Sequence, residues 1–394
     1  MDLNDLPPAL LNRKLTEQIF SRKNTGRRRF MATDRPNRNS VLILGPDEIK
    51  GLISMEEAVA AIEMGYREAD EFPIGNAPRR RVHSPDGVRV SNFPGGIPGL
   101  GVIGSLTRGE MVAQEGENQS YPYREHPVYL LWNSETAKLD GMMMGEIFDD
   151  RTGFTSIMAF RTGATTGVGV KALSREDSHI FGLFGSGGQA VNKILAINAV
   201  RDIHKVKVYS RNPENRIAFC ELMGPMIDKE IVPVETPEEV IKGSDVVISA
   251  TDSNVPVFDG SLIEPGQHVV TVVGSNSALV EGGWLKSGRR ENDDELVRRA
   301  DVIVVNHLES VTMEKQAGLY DPMQQGIITE DDIHALGSVL AGTHPGRTSD
   351  EQITYHFNNN GTAAADMALA KIVFDRAKED GRGTELDIPI PGMQ

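Results

Sequence analysis

Ile180-Phe181-Gly182-Leu183-Phe184 followed by Gly185-Ser186-Gly187-Gly188-Gln189-Ala190 is the stretch whose reading decides the fold. The first segment is an apolar run with strand character, and a periodic apolar segment suited to a helix starts at Gln189. Between them lies a match to Gly-x-Gly-x-x-Gly/Ala, and the order strand, glycine turn, helix lifts that match above a chance one. Gly185 permits the tight turn, Gly187 has no side chain to hold off a pyrophosphate, and Ala190 lets the helix pack on the strand. The start of the helix adds unbonded N–H groups and partial positive charge, both suited to an anion. A glycine-rich turn without a ligand satisfies the same letters, and the chain downstream decides between the two.

That downstream chain alternates regularly. Strand-like segments at 205–210, 231–235, 245–250, 268–274 and 301–306 are separated by helical ones, which open at Pro213, at Thr236-Pro237 with Glu239 closing a capping box, and at Glu291. Such alternation predicts a parallel sheet flanked by helices, so residues 171–329 are read as a Rossmann dinucleotide-binding domain. Upstream the character differs. Val41-Leu42-Ile43-Leu44 reads as a strand leading into a helix with Ile49, Leu52 and Ile53 on one face. Ser54 and Glu57 form a capping box for a second helix carrying Val59, Ile62 and Tyr66. Segments 88–93, 128–132 and 139–144 predict a mostly antiparallel sheet. Between Thr155 and Leu173 several glycines each cost up to ~1 kcal/mol in a helix, so a helix there needs packing support. Beyond Gly326 a linker rich in Gly, Thr and Pro is expected to lead to a final helix at 363–378. The fold class is therefore α/β, a Rossmann domain joined to an α+β domain built from 41–170 together with 330–394. Residues 1–40 are read as a basic, flexible extension.

Composition narrows the function. A chain of 394 residues with 39% hydrophobic content supports more than one core. Its net charge of −15 argues against nucleic acid or an anionic membrane as partner, and no apolar run reaches the ~18 residues that span a bilayer. Arg28-Arg29-Phe30-Met31 lies in the basic arm but is followed by polar residues where an export signal has an apolar region, so a cytoplasmic protein is expected. Cys220 is the single cysteine and falls in a helical segment as a core thiol. The nine histidines contain no pair at i,i+4, and no metal site is expected.

Cofactor choice depends on the end of the strand after the glycine turn, where NAD enzymes of this fold carry Asp or Glu for the ribose. Here the chain reads Val208-Tyr209-Ser210-Arg211-Asn212. Arg211 and Ser210 suit a 2′-phosphate, which favours NADP(H) with NAD still possible.

Several segments, taken together, resemble the ornithine cyclodeaminase/mu-crystallin family: Ala77-Pro78-Arg79, Arg161-Thr162-Gly163-Ala164, the stretch 182–190, Val273-Gly274-Ser275-Asn276, and the stretch 341–350. They follow the family's order from about residue 41 to residue 378. The resemblance implies a dinucleotide-dependent homodimer acting on a small amino or imino acid. By the same resemblance Arg161 and Arg79 grip the substrate carboxylate, which a planar guanidinium holds bidentately. Thr162 contacts the cofactor, whose site also takes in Gly185, Ser186, Gly187, Gly188, Gln189, Ser210, Arg211, Thr251, Val273 and Gly274. Two positions depart from the family. Its substrate lysine in Gly-Val-Lys is Ile103 here, and its catalytic aspartate corresponds to Asn276, which orients an amine but cannot shuttle a proton.

The expectation is an NAD(P)-dependent oxidoreductase exchanging hydride between nicotinamide and an imine or amine carbon, with Arg79, Arg161 and Asn276 around the substrate. Two alternatives stay open: a cyclodeaminase-like lyase that recycles its NAD internally, and a dinucleotide-binding accessory protein that has lost chemistry.

Overall fold

The computed structural model describes residues 38–72, 75–115, 118–274, 280–283, 286, 288–359 and 362–389. The extension expected over 1–40 lies outside them up to residue 37. In the first half of the chain run β1 (Arg38–Leu44), α1 (Met55–Glu71), β2 (Arg80–His83), β3 (Val88–Ile97), β4 (Val102–Glu115), β5 (Asn118–Arg124), β6 (Val128–Asn133) and β7 (Leu139–Met144). Then follow α2 (Ile157–Leu173), β8 (Ile180–Phe184), α3 (Gly188–Asn198), β9 (Lys205–Tyr209), α4 (Pro213–Ile227), β10 (Glu230–Pro233), β11 (Val246–Ser249) and β12 (His268–Thr271). The remainder holds β13 (Val302–Val305), β14 (Ile333–Ala335), β15 (Thr354–Phe357), α5 (Ala363–Glu379) and β16 (Thr384–Pro389).

One sheet runs β16-β1-β7-β6-β4-β3-β2 with β5 against β4. It is antiparallel except where β1 meets β7. The other runs β10-β9-β8-β11-β12-β15-β13-β14, and every pairing in it is parallel. Strands β11, β12, β13 and β15 are buried at all four positions, as a parallel sheet covered on both faces requires.

Ser54 caps α1 and Glu57 returns the hydrogen bond, so that capping box forms. The helix expected through Ile53 is a single turn, Pro46–Ile49. Gly51 ends it with φ +70°, and Leu52 and Ile53 are buried in the connection instead. Packing sustains the glycine-bearing α2: a Cβ on Gly163 would come within 2.7 Å of Asn192 on α3, so the helices approach more closely than side chains permit. Cys220 is buried.

The linker expected beyond Gly326 is the main correction. Residues there form β14, a short helix (Leu336–Ala341) and β15, and β15 sits between β12 and β13 in the parallel sheet. That sheet therefore extends to Phe357, and only α5 and β16 pass to the antiparallel sheet. The sequence Thr-Tyr-His-Phe hides this strand because its polar groups are paired internally. His356 Nε2 meets Asn306 Oδ1 at 2.8 Å, and Thr354 Oγ1 meets His268 Nδ1 at 2.8 Å. One hydrophobic cluster joins both sheets through α1, α2 and α5, and a second covers the other face of the parallel sheet around Phe184, Val247 and Tyr355.

Candidate active site

The glycine turn contains three glycines imposed by different things. Gly185 has φ +107°, and a Cβ on it would lie 2.3 Å from the Ala250 carbonyl oxygen, so its own neighbours demand glycine. A Cβ on Gly188 would strike the Phe154 ring at 2.1 Å. Gly187, at the N-cap of α3 with no side-chain cap, has nothing among the described residues within 4 Å of its missing Cβ. Bare main chain there faces a cleft of about 850 Å³, lined also by Ser186, Gln189, Tyr209, Ser210 and Thr251. The helix N-terminus and the open cradle fit a diphosphate, and a nicotinamide nucleotide matches the size and polarity of the cleft.

Arg211 stands at the lip with 86% of its side chain exposed, 4.0 Å from the equally exposed Asp252 carboxylate. Ser210 donates its hydroxyl hydrogen to the Asn212 carbonyl at 2.9 Å. Asp252 comes from the loop after β11, so strand β9 alone does not reveal that a carboxylate stands opposite Arg211.

Behind the cleft lies a residue that sequence reading missed. Glu291 is fully buried. Its Oε1 accepts from the backbone N–H and the hydroxyl of Thr251 at 2.8 and 2.7 Å. Its Oε2 accepts from the N–H groups of Val272 and Val273 at 2.8 and 2.9 Å. One carboxylate thus ties together the loops after β11 and β12. In the sequence Glu291 reads as the first residue of a helix, but Asp293 is the cap and the helix spans Asp294–Arg299.

The two arginines expected to hold the substrate carboxylate stand in different surroundings. Arg161 on α2 is 4% exposed. Its Nη1 donates to Asp366 Oδ2 of α5 at 3.0 Å, Nη2 rests on the sulfur of Met158, which lines the cleft, and the Phe93 ring lies 5.5 Å from the guanidinium. Arg161 Nε and Asp366 Oδ1 are buried with no hydrogen-bond partner among the described residues. Burial pushes the Asp366 carboxyl up to about 6, although Arg161 opposes the rise. Arg79 donates through Nε to Glu314 and through Nη2 to Asn359 Oδ1 at 3.0 Å. Asn359 also donates to the Val272 carbonyl, and a Cβ on Gly274 would lie 2.8 Å from Asn359 Oδ1. Arg79, Val273 and Gly274 are therefore one cluster, and Thr251 joins it through Glu291.

Thr162 connects through the neighbouring residue of β15's end. Its carbonyl accepts from Asn358 Nδ2 at 3.0 Å, so Asn358 and Asn359 link the Arg161 helix to the Arg79 cluster. Thr166 on α2 also accepts from Lys193 at 2.7 Å, and complete burial pushes that ammonium down to about 7. The only sequence signal for this junction was the run Asn358-Asn359-Asn360. Asn276 lies outside the described residues. Ile103, where the family lysine was expected, is 43% exposed on the outward side of β4.

At the far end of β8 and β9, His179, Asp202 and His204 come within metal-ligating distance of one another, a grouping that helical spacing could not reveal. The two rings stack in parallel at 4.1 Å, and Lys229 already sits 3.1 Å from the Asp202 carboxylate.

The chain belongs to the ornithine cyclodeaminase/mu-crystallin family, whose model matches residues 141–381. It is 31% identical over 359 residues to a Delta(1)-pyrroline-2-carboxylate reductase of Bacillus thuringiensis subsp. konkukian, covering 88% of this chain and all of the relative. Its structure is similar to that of the Thermococcus litoralis Delta(1)-pyrroline-2-carboxylate reductase in complex with NADH and L-proline. That match has TM-score 0.71 and 28% identity, and covers 88% of this chain and 100% of the other. It is also similar to an archaeal alanine dehydrogenase dimer with bound NAD, with TM-score 0.70, 26% identity, and 88% and 99% covered. No helix among the described residues is long and apolar enough to cross a membrane.

Proposed function

We propose that the protein is an NAD(P)-dependent oxidoreductase that interconverts a small imino acid and the corresponding amino acid. The observation that supports this reading is Gly187: among the described residues no atom explains its missing side chain, and it opens on a cleft of the size that the family's nucleotide needs. Bound there, the nicotinamide supplies the hydride acceptor or donor. The chain's own residues do the rest. Gly185 to Gln189 receive the diphosphate, and Glu291 fixes Thr251 and Val272-Val273 so that their main chain meets the nicotinamide end. Arg161 and Arg79 hold the substrate carboxylate, and two guanidiniums fix the α-carbon in one orientation. Asn276, two residues past Gly274, orients the amine or imine by hydrogen bonding. Arg211 and Ser210 at the open lip favour the 2′-phosphate of NADP(H), because the guanidinium is exposed and Asp252 stands at the limit of ion-pair distance.

The outer side of the antiparallel sheet supports a homodimer. Val82, Val90, Ile103, Met111 and Tyr123 are exposed there between 41% and 74%, an apolar face of the kind a subunit contact covers. The alanine dehydrogenase relative is a dimer. A sedimentation mass of one chain would remove this part of the reading.

The deciding experiment measures nicotinamide absorbance in both directions, with NADH and NADPH, against linear and cyclic imino acids and their amino acids. Stoichiometric oxidation of the reduced nucleotide is expected. Many product molecules per catalytic NAD, with no net nucleotide change, would establish the lyase instead, and tighter binding of NADH than NADPH would remove the NADP preference.

A further inference from the structure

Strand alternation turns Arg81 and His83 of β2 to the same side as Arg89 and Ser91 of β3 and Arg108 and Glu110 of β4. Those four partners on β3 and β4 are all buried, so this side of the sheet is an interior polar surface. Most of its charges are matched. Arg108 pairs with Glu146, and Arg161 with Asp366. Arg89 reaches Glu110 at 2.6 Å, Arg124 takes the other oxygen of Glu110 at 3.1 Å, and Arg79 pairs with Glu314. The Tyr121 ring lies between Arg89 and Arg124, 5.4 and 3.7 Å from their guanidinium carbons.

Arg81 is the exception. No carboxylate among the described residues lies within ion-pair distance of it, and its Nε is buried without a hydrogen-bond partner. Burial, and then the neighbouring cations Arg79 and Arg89, bear against its charge, while Glu314 and Tyr121 only partly offset them. A guanidinium does not escape by losing its proton, and Arg81, half-buried with its Nε enclosed, holds a charge that is partly desolvated and has no counter-ion. Four guanidiniums, those of Arg79, Arg81, Arg89 and Arg124, face two carboxylates, those of Glu110 and Glu314. Arg124 carries this surplus to the cleft, where it is one of the lining residues.

We propose that Arg81 receives a second acidic group of the substrate, so that the enzyme acts on a dicarboxylic amino or imino acid. This rests on the oxidoreductase reading above. One carboxylate of the substrate goes to Arg161 and Arg79, and the surplus cation beside Arg79 takes the other. The incoming carboxylate supplies the missing counter-charge, which offsets the unmatched guanidinium on binding and gives discrimination against substrates with an apolar side chain.

The test compares imines formed in situ from ammonia with 2-oxoglutarate, oxaloacetate or pyruvate, using wild type, Arg81→Leu and Arg81→Lys. Wild type is expected to favour the dicarboxylic substrates by about 100-fold in kcat/KM, the order expected of a buried charge-assisted pair. Arg81→Leu should lose that advantage while pyruvate turnover stays within about threefold. Arg81→Lys should keep part of it. The fold is protected, because removing an unmatched, half-buried charge should leave Tm unchanged or higher in the absence of substrate. Equal activity on the two substrate classes in wild type, or an equal loss on both in Arg81→Leu, overturns the proposal. A calorimetric arm titrates succinate, propionate and inorganic phosphate into the nucleotide-loaded protein. Succinate binding that disappears in Arg81→Leu supports the assignment, and phosphate binding as tight as succinate overturns it. Were no imine reduced at all, the oxidoreductase reading would fall, and the calorimetric arm would still decide Arg81.

Discussion

The two ends of the cleft are built by opposite means. At the nucleotide end recognition is mainly by main chain: a glycine turn, the start of α3, and loops whose N–H groups are held by Glu291. At the proposed substrate end it is by arginines, Arg161 of α2 and Arg79 beside the antiparallel sheet, each balanced against a buried carboxylate, with Arg81 next to them unmatched. Main-chain recognition tolerates most side-chain changes but no added Cβ. Side-chain recognition fails with a single truncation, which also leaves a carboxylate behind without its cation.

The largest effect is expected at the substrate end. Arg161→Ala should lower kcat/KM by about 1000-fold while the nucleotide Kd stays within about threefold, since positioning of the reacting carbon is lost and the glycine turn is untouched. It also leaves Asp366 buried without its cation, at a cost of about 3–5 kcal/mol. The double variant Arg161→Ala/Asp366→Asn should recover the stability and not the turnover. Recovery of turnover would show that Arg161 serves only the ion pair.

Gly187→Val gives the complementary result at the other end. Its Cβ meets no atom of the described residues within 4 Å, so Tm should change little, while nucleotide Kd rises by about 100-fold, or roughly 2.7 kcal/mol. Gly188→Ala is the control, because its Cβ collides with Phe154 and should lower stability first. Calorimetry and melting of the two variants separate a glycine required by a ligand from one required by the fold. Unchanged nucleotide affinity in Gly187→Val would break the comparison.

A smaller loss is expected from Glu291→Gln, which replaces one of two acceptor oxygens with an NH₂ facing main-chain donors. Leaving such groups unmatched costs about 1–3 kcal/mol, and loosening of Thr251 and Val273 should weaken the nucleotide by about tenfold. A stability loss with unchanged affinity would confine Glu291 to the fold.

The same contrast explains what could be read from the sequence. The glycine turn was legible because spacing alone expresses what main chain needs, strands β8, β11, β12 and β13 were legible because apolar runs mark a doubly covered sheet, and β9 by its alternation of Lys and Val. Strand β15 was not, since Thr354 and His356 are buried by pairing with His268 and Asn306, and such pairing leaves no periodic trace. Arg79 and Arg161 were reachable only through resemblance. Their partners Glu314, Asn359 and Asp366 lie more than 200 residues away along the chain, at positions that no local pattern marks. Glu291 was mistaken for a helix start, because an acidic residue before an acidic first turn reads as a cap.

The smallest effect concerns how the substrate end answers to pH. Asp366 titrates at about 6, above its ordinary 3.8, because burial disfavours its charge more than Arg161 restores it. The folded protein therefore holds that proton more tightly than the unfolded chain does. Its stabilising contribution is complete below about pH 4 and is lost as pH rises through about 6, at up to about 1.4 kcal/mol per pH unit. Tyr66 and Tyr129 beside it are pushed upward by burial and stay neutral in this window. Protonating Asp366 also leaves Arg161 without an opposing charge, so the affinity for propionate, a carboxylate that cannot react, should rise by about threefold as pH falls below 6. Asp366→Asn keeps a neutral acceptor for Arg161 and should flatten both trends. Melts and propionate titrations between pH 4.5 and 7.5 check this, and an identical pH dependence in the two proteins would mean that the ion pair does not govern how Arg161 meets a carboxylate.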